Sequence, residues 1–142
     1  MATNNTGQHS ADMTIYDGAE TTIVINDLTL YGFQGGMAIF TLTWDNDRAS
    51  INQDTYGTSV ISKNHKDTAT LTINLSITSP CNKNMEDWCK TGDPCTVFIH
   101  TPTNQVTCAE AVVTKFADIS AEDNAPARSW TVHLLNAVPE AA

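Results

Sequence analysis

The most regular stretch of the chain alternates every second residue. Ala69, Leu71, Ile73, Leu75 and Ile77 are apolar, while Thr68, Thr70, Thr72, Asn74 and Ser76 between them are polar. That period belongs to a strand with one buried face. A second alternating run, Met37 to Trp44, puts Ala38, Phe40, Leu42 and Trp44 on one face and Ile39, Thr41 and Thr43 on the other. Thr22–Ile25 and Leu28–Phe33 flank Asn26-Asp27 and predict two strands joined by a tight turn, with a second reversal at Gln34-Gly35-Gly36. Met13–Tyr16 is a short strand candidate ending at Asp17-Gly18, where a hairpin is expected to start.

Between Trp44 and the candidate strand Thr58–Lys63, residues 45–58 carry Asp45, Asn46, Asp47, Asn52, Asp54 and Gly57 and predict a projecting polar loop. The period changes at Ser79-Pro80. Ser suits an N-cap, Pro suits the first helical turn, and Cys81, Met85, Trp88 and Cys89 then recur as one apolar stripe. Gly92 and Pro94 close this short helix, which is expected to pack across a sheet. Thr96–His100, Gln105–Lys115 and Arg128–Leu135 are further strands, separated by a turn near Thr101-Pro102 and a loop around Ser120 to Pro126. The reading is a polar N-terminal arm, residues 1–12, followed by a single β-rich domain, 13–142, with no internal repeat.

Composition supports a mainly β domain. Of the 142 residues, 41% are hydrophobic and only 16% charged, and the polar balance comes from Thr, Asn and Ser, which fit strands and turns better than helix interiors. Seven Lys and Arg against sixteen Asp and Glu give a formal net charge of -9, so the surface field repels phosphate and argues against ordinary nucleic-acid binding. The first twelve residues lack both the positive charge and the apolar core of a secretory signal. No apolar run approaches the roughly 20 residues of a membrane-spanning helix. The chain therefore reads as soluble and retained where it is made, and Cys81, Cys89, Cys95 and Cys108 as reduced structural thiols.

Gly57, Ser62-Lys63-Asn64, Asp67-Thr68, the Thr68–Leu75 alternation and Thr78-Ser79-Pro80-Cys81-Asn82, followed later by Arg128-Ser129-Trp130-Thr131, together resemble the central stretch and final strand of the bacteriophage tail-tube proteins. The resemblance implies a β-sandwich or barrel with one short flanking α-helix, assembling into stacked hexameric rings around a channel for DNA. It implies partners too: other copies of the chain, tape-measure and baseplate proteins, a sheath where the tail contracts, and DNA that passes without specific binding. The location implied is the virion tail, assembled in the host cytoplasm. By position, the arm and the 45–58 loop match segments that meet the adjacent ring, which makes Asp45, Asn46, Asp47, Arg48, Asn52 and Asp54 the expected subunit or ring interface. Net acidity is compatible with a lumen that does not hold phosphates. The related inner-tube proteins of contractile injection systems, and a monomeric β-sandwich that binds carbohydrate, are the alternatives.

Signatures of chemistry are missing where they would be sought. The cysteines form no C-x-x-C pair, so a zinc site is not predicted. Asp45-Asn46-Asp47 begins like a calcium loop, but Ser50 stands where that loop needs Gly and Tyr56 where it needs Glu. His9, His65, His100 and His133 have no nucleophile at motif spacing. No catalytic, cofactor-binding or metal-ligating residue is predicted. Trp44, Met85, Trp88 and Trp130 sit at the apolar phase of their elements and are expected to anchor the core rather than to form a sugar platform.

Overall fold

The computed structural model describes residues 15–141, so the expected arm, Met1 to Asp12, lies outside the described residues. The described chain is mainly β with a single α-helix. Its strands are β1 (Thr22–Ile25), β2 (Leu28–Thr29), β3 (Phe40–Trp44), β4 (Ala49–Gln53), β5 (Ser59–Lys63), β6 (Ala69–Ser76), β7 (Cys95–His100), β8 (Asn104–Val113), β9 (Ala127–Leu134) and β10 (Ala137–Ala141). The helix α1 spans Cys81–Thr91. One antiparallel sheet runs in the order β2-β1-β7-β8-β9-β6-β3, with β10 also on β8, and β4 and β5 form a separate two-stranded sheet.

The central strands follow the alternation. Leu71, Ile73 and Leu75 of β6, Trp130, Val132 and Leu134 of β9, Val97 and Ile99 of β7 and Ile23 and Ile25 of β1 join one buried cluster. Each such side chain contributes about 1.5–3 kcal/mol on leaving water. The sheet curls onto itself: Phe40 and Leu42 of β3 share a groove with Ile99 of β7, Val106 of β8 and Pro139 of β10. This is the sandwich-like arrangement expected, with α1 at its side.

The turn at Asn26-Asp27 has positive φ at both residues, 49° and 65°, the geometry that short side chains tolerate and that suits the twist of a two-residue hairpin. Its second strand is shorter than expected: β2 ends at Thr29, and Phe33 makes only an isolated bridge with Leu75. Segment 37–39 likewise precedes β3 rather than belonging to it. Its backbone is held by Asn74, whose amide Nδ2 donates to Ala38 O at 2.9 Å and whose N–H donates to Ile39 O at 3.1 Å.

The strand candidate Met13–Tyr16 lies partly outside the described residues, and among those described no hairpin forms at Asp17-Gly18. Ile15 to Asp17 are not strand, and Gly18–Glu20 makes a 3-10 turn in which the Asp17 carboxylate accepts the Ala19 N–H at 3.0 Å. With its own carboxylate closing the local turn, Asp17 has no need of a facing strand.

Helix α1 starts one residue beyond the expected place, at Cys81, with Pro80 rather than Ser79 as its N-cap residue. Ser79 Oγ accepts the Cys81 N–H at 3.3 Å and donates to Tyr31 O at 2.6 Å. Gly92 ends the helix in the left-handed region, φ 68°, its N–H returning to Trp88 O at 3.1 Å. Met85 and Trp130 are fully buried and Trp88 is half-buried. Trp44 departs from the expected role of core anchor: it is 41% exposed because it ends β3, an edge strand paired only with β6.

Candidate assembly surface

Residues 45–58 are not a structureless loop. The chain leaves β3 at Trp44, enters β4, reverses, and returns through β5 with Ile51 opposite Ile61 and Asn52 opposite Val60. Every residue of both strands is exposed. The polar sequence hides β4 because neither of its faces is buried, and alternation is a record of burial. What closes the reversal is local chemistry. The Asp54 carboxylate accepts the N–H groups of Tyr56 and Thr58, each at 2.9 Å, and Gly57 takes φ 84°.

The root of this hairpin is fixed to the sheet. Thr70 Oγ1 donates to Asp45 Oδ1 at 2.9 Å, and Asn46 Nδ2 donates to Thr68 Oγ1 at 2.9 Å. Arg48 pairs with Asp67. The Asn64 N–H donates to Arg48 O at 2.8 Å. Beside these contacts lies a cavity of about 230 Å³ lined by Trp44, Asn46, Arg48, Lys66, Asp67 and Pro139.

The expected interface residues therefore do not converge on one site. Asp45, Asn46 and Arg48 gather at the root, where Asp47 is also exposed; Asn52 is in β4 and Asp54 serves the tip. Four of them, Asp45, Asn46, Arg48 and Asp54, have identifiable local duties in holding the hairpin's shape. The side chains of Asp47 and Asn52 have no such duty among the described residues, and beside them stand the apolar residues Ile51, Tyr56, Val60 and Ile61, which are 57–93% exposed. Sequence reasoning passed over these apolar residues because it looked for polar loop contacts. The signal available was Val60-Ile61, an apolar pair beside a polar turn.

Two buried polar groups also escaped notice. Asn82 donates from Nδ2 to Ser76 O at 2.9 Å, Ile77 O at 3.3 Å and Ser79 O at 3.1 Å, and accepts the Trp130 Nε1–H at 2.9 Å. It ties α1 to β9 and to the end of β6. Arg128, 5% exposed, lies 4.6 Å from the Trp130 ring centroid and pairs with Glu86 of α1 at 3.0 Å. Among the described residues no group of three or more His, Cys, Asp or Glu could hold a metal ion, and no helix is long and apolar enough to cross a membrane. Burial raises the Cys95 thiol above its ordinary pKa, opposed by the hydrogen-bonded Asn26 side chain.

A curled antiparallel sheet, one helix at its side and an exposed hairpin rooted on an edge strand make up the fold. Comparison with solved structures finds the same fold in chains of phage-like particles. The chain matches, with a TM-score of 0.65 and 10% identity, a chain of the anti-feeding prophage cap, a tube-terminating cap, over 92% of this chain and 93% of that one. A chain of the PVC sheath-tube complex, an extracellular contractile injection system in its extended state, matches at 0.65 and 11% identity over 99% and 100%. A chain of the native gene transfer agent virion matches at 0.65 and 7% identity over 90% and 99%. No protein-family model matches, and no curated protein matches significantly. At these identities the likeness establishes the fold.

Proposed function

We propose that the protein is a structural subunit of a phage tail tube, which self-assembles into stacked hexameric rings enclosing a conduit for DNA. The observation that carries this reading is the hairpin 49–63, two strands exposed along their whole length on a fold shared almost end to end with chains of phage-like assemblies. An isolated two-stranded hairpin is marginal in water, so its exposed apolar residues gain most when a neighbour covers them. A subunit acting by self-association needs no catalytic group, and its net charge of -9 disfavours retention of DNA in the channel. The tape-measure and baseplate proteins, and a sheath if the tail contracts, are the further partners on this reading. The N-terminal arm, residues 1–12, would contact the adjacent ring.

Electron microscopy of the purified protein tests the proposal. Rings and tubes are expected at high protein concentration, and a protein that stays monomeric under every condition, including with its neighbouring tail proteins, refutes it. Replacing residues 49–63 by a short turn should leave a folded subunit that no longer forms tubes.

A second reading has specific support in the structures matched. The anti-feeding prophage cap and the PVC terminator, whose chain is matched over 98% of its length, favour a tube or tube-terminating subunit of a contractile injection system. Co-purification with a sheath protein in place of capsid proteins would select it.

A further inference from the structure

The hairpin has two unlike faces. Its register places Ala49, Ile51 and Gln53 of β4 on the same side as Lys63, Ile61 and Ser59 of β5. That face has a central pair of isoleucines, 69% and 65% exposed, a flanking cation, and no carboxylate, on a chain whose net charge is -9. The opposite face, Ser50, Asn52, Val60 and Ser62, has one apolar residue.

A complementary surface lies toward the other end of the sheet. The hairpin is rooted where β6 begins and β9 ends, since Ala69 pairs with both Trp44 and Leu134. The β8–β9 connection, residues 114–126, is anchored where β6 ends and β9 begins. Ala117 O accepts from Arg128 at 3.3 Å, and Pro126 O accepts the Ile77 N–H at 3.0 Å. The eight residues of β6 separate the two sites by roughly 25 Å. This connection exposes Phe116 (45%) and Ile119 (73%) among Asp118, Glu122 and Asp123, with Lys115 as its one basic residue. It therefore offers apolar side chains in an acidic setting, against apolar side chains beside a lysine.

We propose that the Ile51/Ile61/Lys63 face of one subunit docks on the Phe116–Asp123 connection of a second copy. This contact rests on the tube reading and deepens it by naming the two surfaces that meet. The surfaces are different and lie toward opposite ends of one sheet, so the contact is heterologous, and repetition extends the assembly instead of closing it as a dimer. Repeated around a ring, contacts weak in isolation add through effective concentration.

The test uses the full chain. A photo-crosslinking residue in place of Ile61 is expected to mark a peptide spanning 116–123 of another molecule. Lys63→Glu should lower the pelleted, assembled fraction about tenfold, the scale on which losses in a multivalent contact are magnified. Pairing Lys63→Glu with Asp118→Lys and Glu122→Lys should restore assembly. Crosslinks between hairpins, crosslinks elsewhere on the subunit, or Lys63→Glu protein that assembles like the wild type would each overturn the docking while leaving the tube reading intact. Wild-type protein that never assembles would overturn both.

Discussion

Asn82 is the residue whose replacement speaks most directly to how α1 is held. Asn82→Leu keeps side-chain size but removes the acceptor of the Trp130 Nε1–H and the donor to the carbonyls of Ser76, Ile77 and Ser79. Asn82 is 6% exposed and Trp130 fully buried, so water cannot replace these bonds without opening the helix–sheet junction. One stranded indole donor costs about 1–3 kcal/mol, and at least one poorly compensated carbonyl adds roughly 1 more. The expected loss is about 3 kcal/mol, a large part of the 5–15 kcal/mol typical of a domain. Urea unfolding followed by tryptophan fluorescence would read it as a lower midpoint at unchanged slope.

Asn82→Asp separates hydrogen bonding from size. It keeps the acceptor for Trp130 but aims a carboxylate at three carbonyl oxygens in a buried setting, which raises the introduced group's folded pKa above its unfolded value of about 3.9. The folded state then binds the proton more tightly. The variant is most stable below that unfolded value and loses stability as pH rises through the folded pKa. Asn82→Leu that unfolds within about 0.5 kcal/mol of the wild type, the usual range of a surface substitution, or Asn82→Asp with wild-type pH dependence, would refute the assigned hydrogen-bond role.

Gly32→Ala should cost more than about 1 kcal/mol in thermal or urea unfolding, because Gly32 has φ +78° and an added Cβ would stand 2.6 Å from Ser79 Oγ. Trp88→Ala should cost about 1–2 kcal/mol, below the range for a fully buried tryptophan, since Trp88 is half-buried; an unchanged urea midpoint would remove it from the core's edge. Arg128→Met should leave stability within about 1 kcal/mol, because a packed apolar side chain can replace a buried pair and Glu86 reaches solvent; a loss of several kcal/mol would show that the ion pair itself is needed. Thiol titration of native protein should modify Cys89 well before Cys81, Cys95 and Cys108, which are buried, while in urea all four should react.

Most of the strands that were legible have one face in the core; β5, expected at Thr58–Lys63 and exposed throughout, is the exception. Strand β6 runs from Ala69 to Ser76 with Asn74 as its one buried residue of the polar phase, and the helix was marked independently by its Ser-Pro start, apolar stripe and final glycine. Strand β4 was missed because it has no buried face, and Trp44 was assigned inward by a period that tells sides apart but not central strands from edges. The expected interface residues were chosen by polarity, and the structure gives Asp45, Asn46, Arg48 and Asp54 contacts at the root and tip of the hairpin itself. Asn82 is polar in sequence and buried in space, a combination visible only once Trp130 is brought to it.

Strand β10 was missed for a different reason, and that reason constrains how this chain can change. Along β9 the buried residues are Arg128, Trp130, Val132 and Leu134, and the next is Ala137; along β8 they are Val106 and Cys108, then Ala111 and Val113. Both strands skip a beat, at Leu135-Asn136 and at Ala109-Glu110, and the pairings Ala111–Leu134 and Ala137–Cys108 show that the skips face each other. The two departures cancel. Deleting a single residue from either skip would turn one strand over relative to its partner and send Val106 and Cys108, or Ala137, to the wrong side. Removing one residue from each at once would keep them in phase. Length changes at this point of the chain should therefore be tolerated only as matched pairs, some 26 positions apart, an indel signature that can be sought in any set of homologous sequences.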